Sequence, residues 1–234
     1  MNWEIVTAGR PADWNEDSKS TIARCVLRLY SPTSGNIIFD GEDISKLKAN
    51  QLKLIRNDLQ MIFQDPMDSL NPRHTASEII GEPLLINNFS RIYREKRVLE
   101  LLDIVGLPKE SLKKYPFEFS GGQKQRIGIA RALALRPRLV VCDEAVSALD
   151  VSTQAQVLNL LLDLQNEFGL TYLFISHNLA VVKHMSDKVA VMKSGRIVEE
   201  NSSDKIYNEA VHPYTQKLIS SIPVIHPAGR TKSE

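Results

Sequence analysis

Residues 119–150 of the chain read FSGGQKQRIGIARALALRPRLVVCDEAVSALD and combine a predicted helix with a predicted strand. Ser120 precedes an apolar-periodic helix that we expect to reach Leu135, and Gln123 follows three residues later, as in a capping box. Two glycines in the first turn leave backbone N–H groups open to a phosphate at the positive end of the helix dipole. A well-capped helix that binds nothing is the alternative, and these four residues alone favour neither interpretation.

The predicted strand Leu139–Cys142 is apolar at every position and is followed by Asp143 and Glu144. Such strands are typical of parallel sheets, which bind ligands at the C-terminal ends of their strands. One carboxylate could hold Mg²⁺ through water, and the next could polarise an attacking water. Taken alone, a strand followed by Asp-Glu more often begins an ordinary loop.

Helical and strand patterns alternate along the rest of the chain, which predicts an α/β fold with a parallel sheet covered on both faces. Residues 75–114 are expected to form a separate, more charged helical lobe, with breaks at Pro83, Gly106 and Pro108. Residues 1–18 read as irregular, and the tail after Ile225 has no pattern and is expected to be disordered. Other helices are predicted at 20–30 and 153–168, other strands at 36–39, 59–63 and 172–176, and a hairpin at 189–200 around Ser194-Gly195.

Composition excludes several classes of protein. The 234 residues include 29 Lys+Arg and 28 Asp+Glu, so no basic excess favours a nucleic-acid partner. The two cysteines, Cys25 and Cys142, give no disulfide framework and no zinc spacing, which is typical of a reducing compartment. No run approaches the roughly 18 apolar residues of a membrane helix, and residues 1–19 lack a signal peptide. We therefore expect a soluble cytoplasmic protein that could reach a membrane only by docking onto another protein.

Five polar groups in a fixed order resemble the motif series of the ABC transporter ATPases. Gln64, Ser120-Gly121-Gly122-Gln123, Asp143-Glu144, Ser147-Ala148-Leu149-Asp150 and His177 are similar to the family's Q-loop, signature, Walker B, D-loop and H-loop. The resemblance covers residues 19–223 and implies a P-loop NTPase (RecA-like) parallel sheet core with an inserted helical subdomain. The implied parts are an incomplete N-terminal core (1–65), the helical subdomain (66–119), the C-terminal core (120–200) and a C-terminal extension with its tail (201–234).

The resemblance also implies a role for each matching side chain. Glu144 would be the catalytic base and His177 would contact the γ-phosphate, while Ser20, Gln64 and Asp143 would serve Mg²⁺. Ser120 and Gly122 would reach a nucleotide held by a second, head-to-tail subunit, either an identical chain or a related one. The residues implied to bind ATP are Lys19, Ser20, Thr21, Gln64, Ser120, Gly121, Gly122, Gln123, Asp143 and Asp150.

Other segments resemble one subgroup of the family. Three segments resemble those of the dipeptide and oligopeptide importer ATPases, namely residues 64–66 (QDP), 69–73 (SLNPR) and 212–215 (HPYT). Residues 143–150 have Ala145 where many relatives have proline, and in this they resemble the glutathione-importer branch. The implied function is ATP-driven uptake of peptide-like solutes. The implied partners are membrane permease subunits at the cytoplasmic face of the inner membrane and, indirectly, a solute-binding protein. No cysteine follows Cys142, so no iron–sulfur cluster is expected.

The phosphate-binding loop departs from the family pattern G-x-x-x-x-G-K-[ST]. The matching window, residues 13–20, reads DWNEDSKS and keeps Lys19 and Ser20 but neither glycine. Its carboxylates would repel a triphosphate. Losing three charge-assisted contacts would weaken ATP binding by roughly a thousandfold or more.

Three interpretations of the whole chain remain. In the first the chain is an importer ATPase, in the second it is a catalytically defective or truncated fragment that acts only as a partner subunit, and in the third it is an ABC protein without a transport function. The abrupt change at Ser18/Lys19 suggests a truncation or a reading-frame shift upstream. A non-transport ABC protein of translation or DNA repair is disfavoured because nothing in the sequence indicates tandem ATPase halves or long coiled-coil insertions.

Overall fold

The computed structural model describes residues 20–65 and 69–222 in full, and the backbone of residues 5–6 and 18–19. The chain divides after Ser176 into two compact units. In chain order the first unit contains β1 (Ile5–Val6), α1 (Ser18–Val26), β2 (Asn36–Phe39), β3 (Glu42–Asp43), α2 (Ala49–Asp58), β4 (Leu59–Ile62), α3 (Ala76–Ile86), α4 (Arg91–Ile104), two 3₁₀ helices (Lys109–Lys113 and Pro116–Glu118), α5 (Gly121–Ala132), β5 (Leu139–Asp143), α6 (Val151–Phe168) and β6 (Thr171–Ile175).

A parallel sheet with the strand order β4-β5-β6 forms the centre of the first unit. Every residue of β5 is buried, which explains why this strand is apolar on both faces until Asp143. A separate antiparallel sheet joins β1, β2 and β3. One apolar cluster packs α1 against both sheets, through residues that include Ala23, Phe39 and Val141. The α/β class with a parallel sheet is therefore confirmed.

Helices α3, α4 and α5 form the helical part of the first unit. Pro83 lies inside α3 instead of breaking it. A proline inside a helix lacks the N–H donor and its ring crowds the carbonyl four residues earlier, which here is that of Ile79. The helix nevertheless continues to Ile86, and the Asn87 backbone N–H and Nδ2 both donate to the Pro83 carbonyl, at 3.2 and 2.9 Å, which closes it one turn later.

Arginine side chains tie both ends of this helical part to α5. Buried Arg97 of α4 donates from Nη2 to the Leu133 carbonyl, at 2.9 Å, at the C-terminal end of α5. Arg126 and Arg131, both on α5, donate to the carbonyls of Val105 and Ser69, each at 2.6 Å. These bonds satisfy backbone oxygens that lie outside regular structure.

The N-terminal region differs from the sequence-based expectation in three places. Residues 1–18 were expected to be irregular, but β1 pairs antiparallel with β2. Helix α1 begins at Ser18 and ends at Val26 rather than at Tyr30, because Arg28 adopts a φ of 53° and the N–H groups of Leu29 and Tyr30 both turn back to the Arg24 carbonyl. Helix α2 was not predicted, since its ten residues bury only Leu52.

The second unit contains α7 (Leu179–Met185), β7 (Lys188–Lys193), β8 (Arg196–Ser202), α8 (Ser203–Asn208) and α9 (Pro213–Ser220). The predicted hairpin is confirmed, and Ser194 and Gly195 take φ values of 48° and 73°, as a tight turn of this kind requires. The Glu199 carboxylate accepts the N–H groups of Val211 and His212, at 2.8 and 3.1 Å, and so holds the start of α9.

Some sequence-based expectations fall outside this description. The glycine-free window up to residue 17 and the tail after Ile225 lie outside the described residues. The four-part division at residues 65, 119 and 200 stays a prediction. None of the helices in the described part of the chain has the length and apolar content that a bilayer crossing requires.

Candidate functional site

Ser20 and Asp143 meet at the C-terminal end of the parallel sheet. Asp143 is the last residue of β5 and is only 4% exposed. Ser20 lies in the first turn of α1, and its Oγ donates a hydrogen bond of 3.1 Å to Asp143 Oδ1. Because α1 packs on the same apolar cluster as β5, the fold brings together two oxygen-bearing side chains that are 123 residues apart.

Gln64 and Glu144 form a second pair beside the first. The parallel register of β4 and β5 places Ile62 opposite Cys142, and Gln64 and Glu144 each follow two residues later, just beyond the ends of the strands. Gln64 Nε2 donates to Glu144 Oε2 at 2.9 Å. The structure therefore brings together four of the sequence-predicted residues in two hydrogen-bonded pairs.

The backbone of Glu144 is held in an unusual conformation. Its φ of 47° lies in the left-handed region, which costs a residue with a side chain about 1–3 kcal/mol. Its N–H donates to the Ile175 carbonyl of β6 at 2.9 Å, and its own carbonyl accepts both the N–H and the Oγ–H of Ser147 at 3.0 Å. Bonds on both sides of the peptide thus fix the direction in which the Glu144 carboxylate leaves the sheet.

A cavity of about 730 Å³ in the first unit adjoins these pairs. Ser20, Gln64 and Asp143 contribute to its wall, together with residues of α1, β4, α3 and α5 that include Arg131. The volume is in the range of small-ligand sites.

The oxygen atoms of the Ser20–Asp143 pair fit an Mg²⁺ ion that is bound together with a larger ligand. Ser20 and Asp143 supply oxygen atoms, which this hard cation prefers, and the cavity that both residues line leaves room for its waters. In the described part of the chain no group of three or more His, Cys, Asp or Glu side chains could hold a metal ion. A cation here would need further oxygens from its ligand, as Mg²⁺ bound to a phosphate has.

Residues 120–123 form the start of α5, and the predicted capping box is confirmed. Ser120 Oγ accepts the Gln123 N–H at 3.3 Å, and the Ser120 N–H donates to Gln123 Oε1 at 3.0 Å. Gly122 lies so close to α6 that an added Cβ would be 2.3 Å from Thr153 Cγ2. The glycine is therefore required by packing as well as suited to an approaching ligand.

Asp150 is the N-cap of α6 and lies beside this turn. Its carboxylate accepts the Thr153 N–H at 3.0 Å and the Oγ–H groups of Thr153 and Ser152 at 2.7 and 2.9 Å. These hydrogen bonds to the charged form hold the pKa of Asp150 at about 2. Neither Asp150 nor residues 120–123 line the 730 Å³ cavity, so the described part of the chain contains two separate clusters of predicted site residues.

The remaining predicted residues are placed less fully. Thr21 is half-buried on α1, and the side chain of Lys19 lies outside the described residues. His177 is exposed and is the first residue of the second unit. The roles assigned to all these residues stay predictions.

The sequence analysis missed Thr153, which holds Asp150 and packs on Gly122. It named Ser147 only as part of the segment that resembles the D-loop, and not as the residue that holds the Glu144 carbonyl. Thr153 could have been found, because a threonine three residues after an N-cap aspartate is placed to bond its carboxylate. Nothing in the sequence around Ser147 signals its bond.

Comparison with known proteins places these features in a family. The family model described as ABC transporter matches residues 18–147, and one described as Oligopeptide/dipeptide transporter, C-terminal region, matches residues 198–234. The oligopeptide transport ATP-binding protein AppF of Bacillus subtilis (strain 168) is 54% identical over 218 residues, which are 92% of this chain and 66% of that protein.

Two further proteins extend the comparison. The glutathione import ATP-binding protein GsiA of Pectobacterium atrosepticum is 52% identical over 217 residues, and the match covers 92% of this chain but only 35% of that protein. A solved dimeric structure of the ATP-binding cassette MJ0796 in a post-hydrolysis state, bound to ADP and Pi, is 32% identical. It superposes with a TM-score of 0.70 over 79% of this chain and 80% of that chain. These matches, together with the paired residues at the ends of β4 and β5, show that this chain belongs to the ABC transporter family.

Proposed function

We propose that this chain is an ATP-binding subunit of an ABC importer that couples ATP hydrolysis to the uptake of peptide-like solutes. The observation that carries the proposal is the pair of hydrogen bonds, Ser20 to Asp143 and Gln64 to Glu144, at one end of the parallel sheet. The names of the relatives, which are oligopeptide and glutathione transport ATP-binding proteins, support the solute class. The match of residues 198–234 to the oligopeptide/dipeptide transporter region supports it independently.

Glu144 is the general base of the proposed reaction. Its carboxylate would take a proton from the water that attacks the γ-phosphate, a role that needs a fixed direction toward that water. The bond from Gln64 and the two bonds from Ser147 supply that fixed direction. His177, which follows β6 by two residues, would contact the γ-phosphate.

Ser20 and Asp143 would hold Mg²⁺, with Gln64 as a further oxygen donor. When bound, the ion would neutralise negative charge on the phosphate oxygens. Ser20 and Asp143 are already within 3.1 Å of each other, so little rearrangement is needed for both to face one cation.

The exposed turn at residues 120–123 would contact ATP held by a second ATPase subunit. Its backbone N–H groups lie at the positive end of α5, which favours a phosphate. The proposed assembly is a homo- or heterodimer of ATPase subunits docked on permease subunits at the cytoplasmic face of the inner membrane. A solute-binding protein would act with it indirectly.

A second candidate function rests on residues 13–17, which read DWNED. Carboxylates at Asp13, Glu16 and Asp17 and the missing glycines disfavour phosphate binding by this chain's own loop. In that case the chain would serve only as a partner, and it would offer residues 120–123 to the nucleotide of a competent subunit.

Nucleotide titration separates the two functions. The purified chain is titrated with a fluorescent ATP analogue and Mg²⁺, and ATP hydrolysis is then measured for the wild type, Glu144→Gln and Glu110→Gln. Glu110 is an exposed carboxylate in a 3₁₀ helix and serves as the matched control.

If the chain is an importer ATPase, it should bind the ATP analogue at micromolar concentration and hydrolyse ATP, and Glu144→Gln should abolish hydrolysis without weakening nucleotide binding. If no nucleotide binding is detected at millimolar concentration, only the partner function remains. Hydrolysis that survives Glu144→Gln would show that Glu144 is not the base.

A further inference from the structure

Gln64 lies just beyond the parallel sheet, past the last paired residue of β4. That residue is Ile62, and Gln64 is exposed. Its Nε2 nevertheless donates to Glu144 Oε2 at 2.9 Å. Glu144 is fixed by its own bonds to Ile175 and Ser147. An exposed glutamine loses side-chain entropy when it is held in one place, so the Gln64 end of this bond needs support as well.

Arg131 of α5 contacts the chain on both sides of Gln64. On one side its guanidinium lies over the Phe63 ring, with Cζ 5.9 Å from the ring centroid, which is within the range of a cation–π contact. On the other side its Nη1 donates to the Ser69 carbonyl at 2.6 Å. The Ser69 N–H in turn donates to the Asp65 carbonyl at 3.2 Å. The residues immediately before and after Gln64 are therefore tied to one side chain, the first directly and the second through Ser69.

Arginine is suited to this double contact. Its planar guanidinium stacks on an aromatic ring and donates hydrogen bonds from its edge, whereas a lysine ammonium is a compact point charge. Burial lowers the pKa of the Arg131 guanidinium and the Glu82 carboxylate raises it, and an arginine in a protein stays charged. The bond to the Ser69 carbonyl is therefore charge-assisted, which makes it stronger than a bond between neutral groups. The helix that carries Arg131 is itself anchored by three fully buried side chains, Ile127, Ile129 and Ala130.

A second arginine on α5 makes the same kind of bond at a different place. Arg126 is also half-buried, and its Nη1 donates to the Val105 carbonyl, again at 2.6 Å. Val105 is the C-cap of α4, so this bond supports the end of a helix rather than the chain beside Gln64. Arg126 and Arg131 share a helix, a donor atom and a bond length, and they differ in the segment that they hold.

We propose that Arg131 is a positioning residue that holds Gln64 at hydrogen-bonding distance from Glu144. The inference rests on the proposed function, in which Gln64 serves Mg²⁺ and Glu144 is the general base. Arg131 also contributes to the wall of the cavity of about 730 Å³. Its guanidinium is engaged by Phe63 and Ser69, so it acts on the reaction through Gln64 rather than by contact with the nucleotide.

The first measurement uses the full chain without nucleotide or Mg²⁺. The Nε2 group of Gln64 gives NMR signals in protein that contains isotope-labelled glutamine, and Gln64→Ala identifies these signals by their loss. Glu144→Ala breaks the bond directly and gives the position of the signals for an unbonded side chain. We expect Arg131→Met to move the signals toward that position and the matched control Arg126→Met to leave them in place. Circular dichroism confirms that each variant is folded.

ATP hydrolysis then tests whether Arg131 acts through Gln64. Arg131→Met should lower kcat by about tenfold or more and leave KM within a few-fold, because alignment in the transition state is lost while nucleotide contacts remain. In a Gln64→Ala background the same substitution should change kcat by less than about twofold, since the side chain that Arg131 holds is already gone. Arg126→Met should leave kcat within about twofold of the wild-type value.

Several results would overturn the proposal. One is a set of Gln64 signals that Arg131→Met does not move, or that Arg126→Met moves equally. Another is a loss of kcat that has the same size with and without Gln64, since Arg131 would then act elsewhere. A large rise in KM would show that Arg131 contacts the nucleotide itself.

The NMR comparison keeps this inference separate from the proposed function. A wild type that hydrolyses no ATP refutes the proposed function, and the Gln64 signals alone then decide the role of Arg131. If Arg131→Met does not fold, Arg131→Lys and Phe63→Leu replace it, because the first removes the planar guanidinium and the second removes the ring beneath it. Gln64 signals that neither replacement moves would overturn the proposal.

Discussion

Alanine at position 122 tests the contact between the start of α5 and the start of α6. The added Cβ would be 2.3 Å from Thr153 Cγ2, against about 3.5–4.0 Å for an ordinary carbon–carbon contact. Thr153 is not free to rotate away, because its Oγ1 and N–H both donate to the Asp150 carboxylate. The two helix ends must therefore move apart by about 1 Å, or the cap of α6 must break.

The expected effect of Gly122→Ala on stability is opposite to the effect that helix propensity alone would give. Replacing glycine by alanine inside an unobstructed helix stabilises by about 0.5–1 kcal/mol. Overpacking of this kind destabilises by about 1–3 kcal/mol. For a chain of this size each 1 kcal/mol lowers Tm by roughly 2–4 °C, so we expect a net fall of several degrees.

Urea unfolding followed by circular dichroism measures the effect, with two companion variants. At Gly121 the nearest atom to an added Cβ is Leu149 Cδ2 at 3.5 Å, an ordinary contact, so Gly121→Ala should not destabilise. Thr153→Ser removes the obstructing methyl and keeps the hydroxyl, so in the double variant it should recover most of the loss as a coupling energy of about 0.5–3 kcal/mol. Gly122→Ala that is as stable as the wild type, or that Thr153→Ser fails to rescue, would refute the reasoning.

Three further predictions concern single side chains. The pKa of Asp150 is lowered from 3.8 to about 2, so its charged form stabilises the fold above pH 3.8, and this stabilisation is lost as the pH falls toward 2. Urea unfolding at a series of acid pH values should show a steeper loss of unfolding free energy for the wild type than for Asp150→Asn, which keeps an N-cap but does not titrate. Arg97→Met should destabilise by about 1.5–3 kcal/mol, since it strands the buried Leu133 carbonyl, and urea unfolding should show no such loss for the exposed control Lys96→Met. Burial raises the pKa of the Cys142 thiol and shields it from solvent. A thiol reagent at pH 8 should therefore leave Cys142 unmodified in the native protein, where only Cys25 is accessible, and should modify both cysteines in guanidinium. Rapid modification of Cys142 in the native protein would contradict its burial.

The features that could be predicted from the sequence are those encoded by neighbouring residues. The capping box of Ser120 and Gln123 and the tight turn at Ser194-Gly195 each depend on residues within one turn of each other. Strand β5 was predicted because burial on both faces leaves a continuous apolar run before Asp143.

Features that depend on distant partners could not be predicted in this way. The bond between Ser20 and Asp143 joins residues 123 positions apart, and only the packing of α1 on the sheet creates it. Helix α2 places Leu52 and Ile55 three residues apart toward the core, but this apolar face is only two side chains long and the sequence analysis did not identify it. Pro83 was read as a break because its fit inside α3 depends on how Asn87 closes the following turn.

The insertion of the helical part between β4 and β5 also sets the order in which the first unit can fold. Gln64 and Glu144 are neighbours in space but 80 residues apart in the chain, so pairing β4 with β5 requires closure of a long loop. Helices α3, α4 and α5 make contacts that are closer in sequence and pay less of that cost. We expect pulse-labelling hydrogen exchange to find amides of α4 protected before those of β5, which would leave the apolar strands of the sheet exposed to other chains during the interval between the two steps.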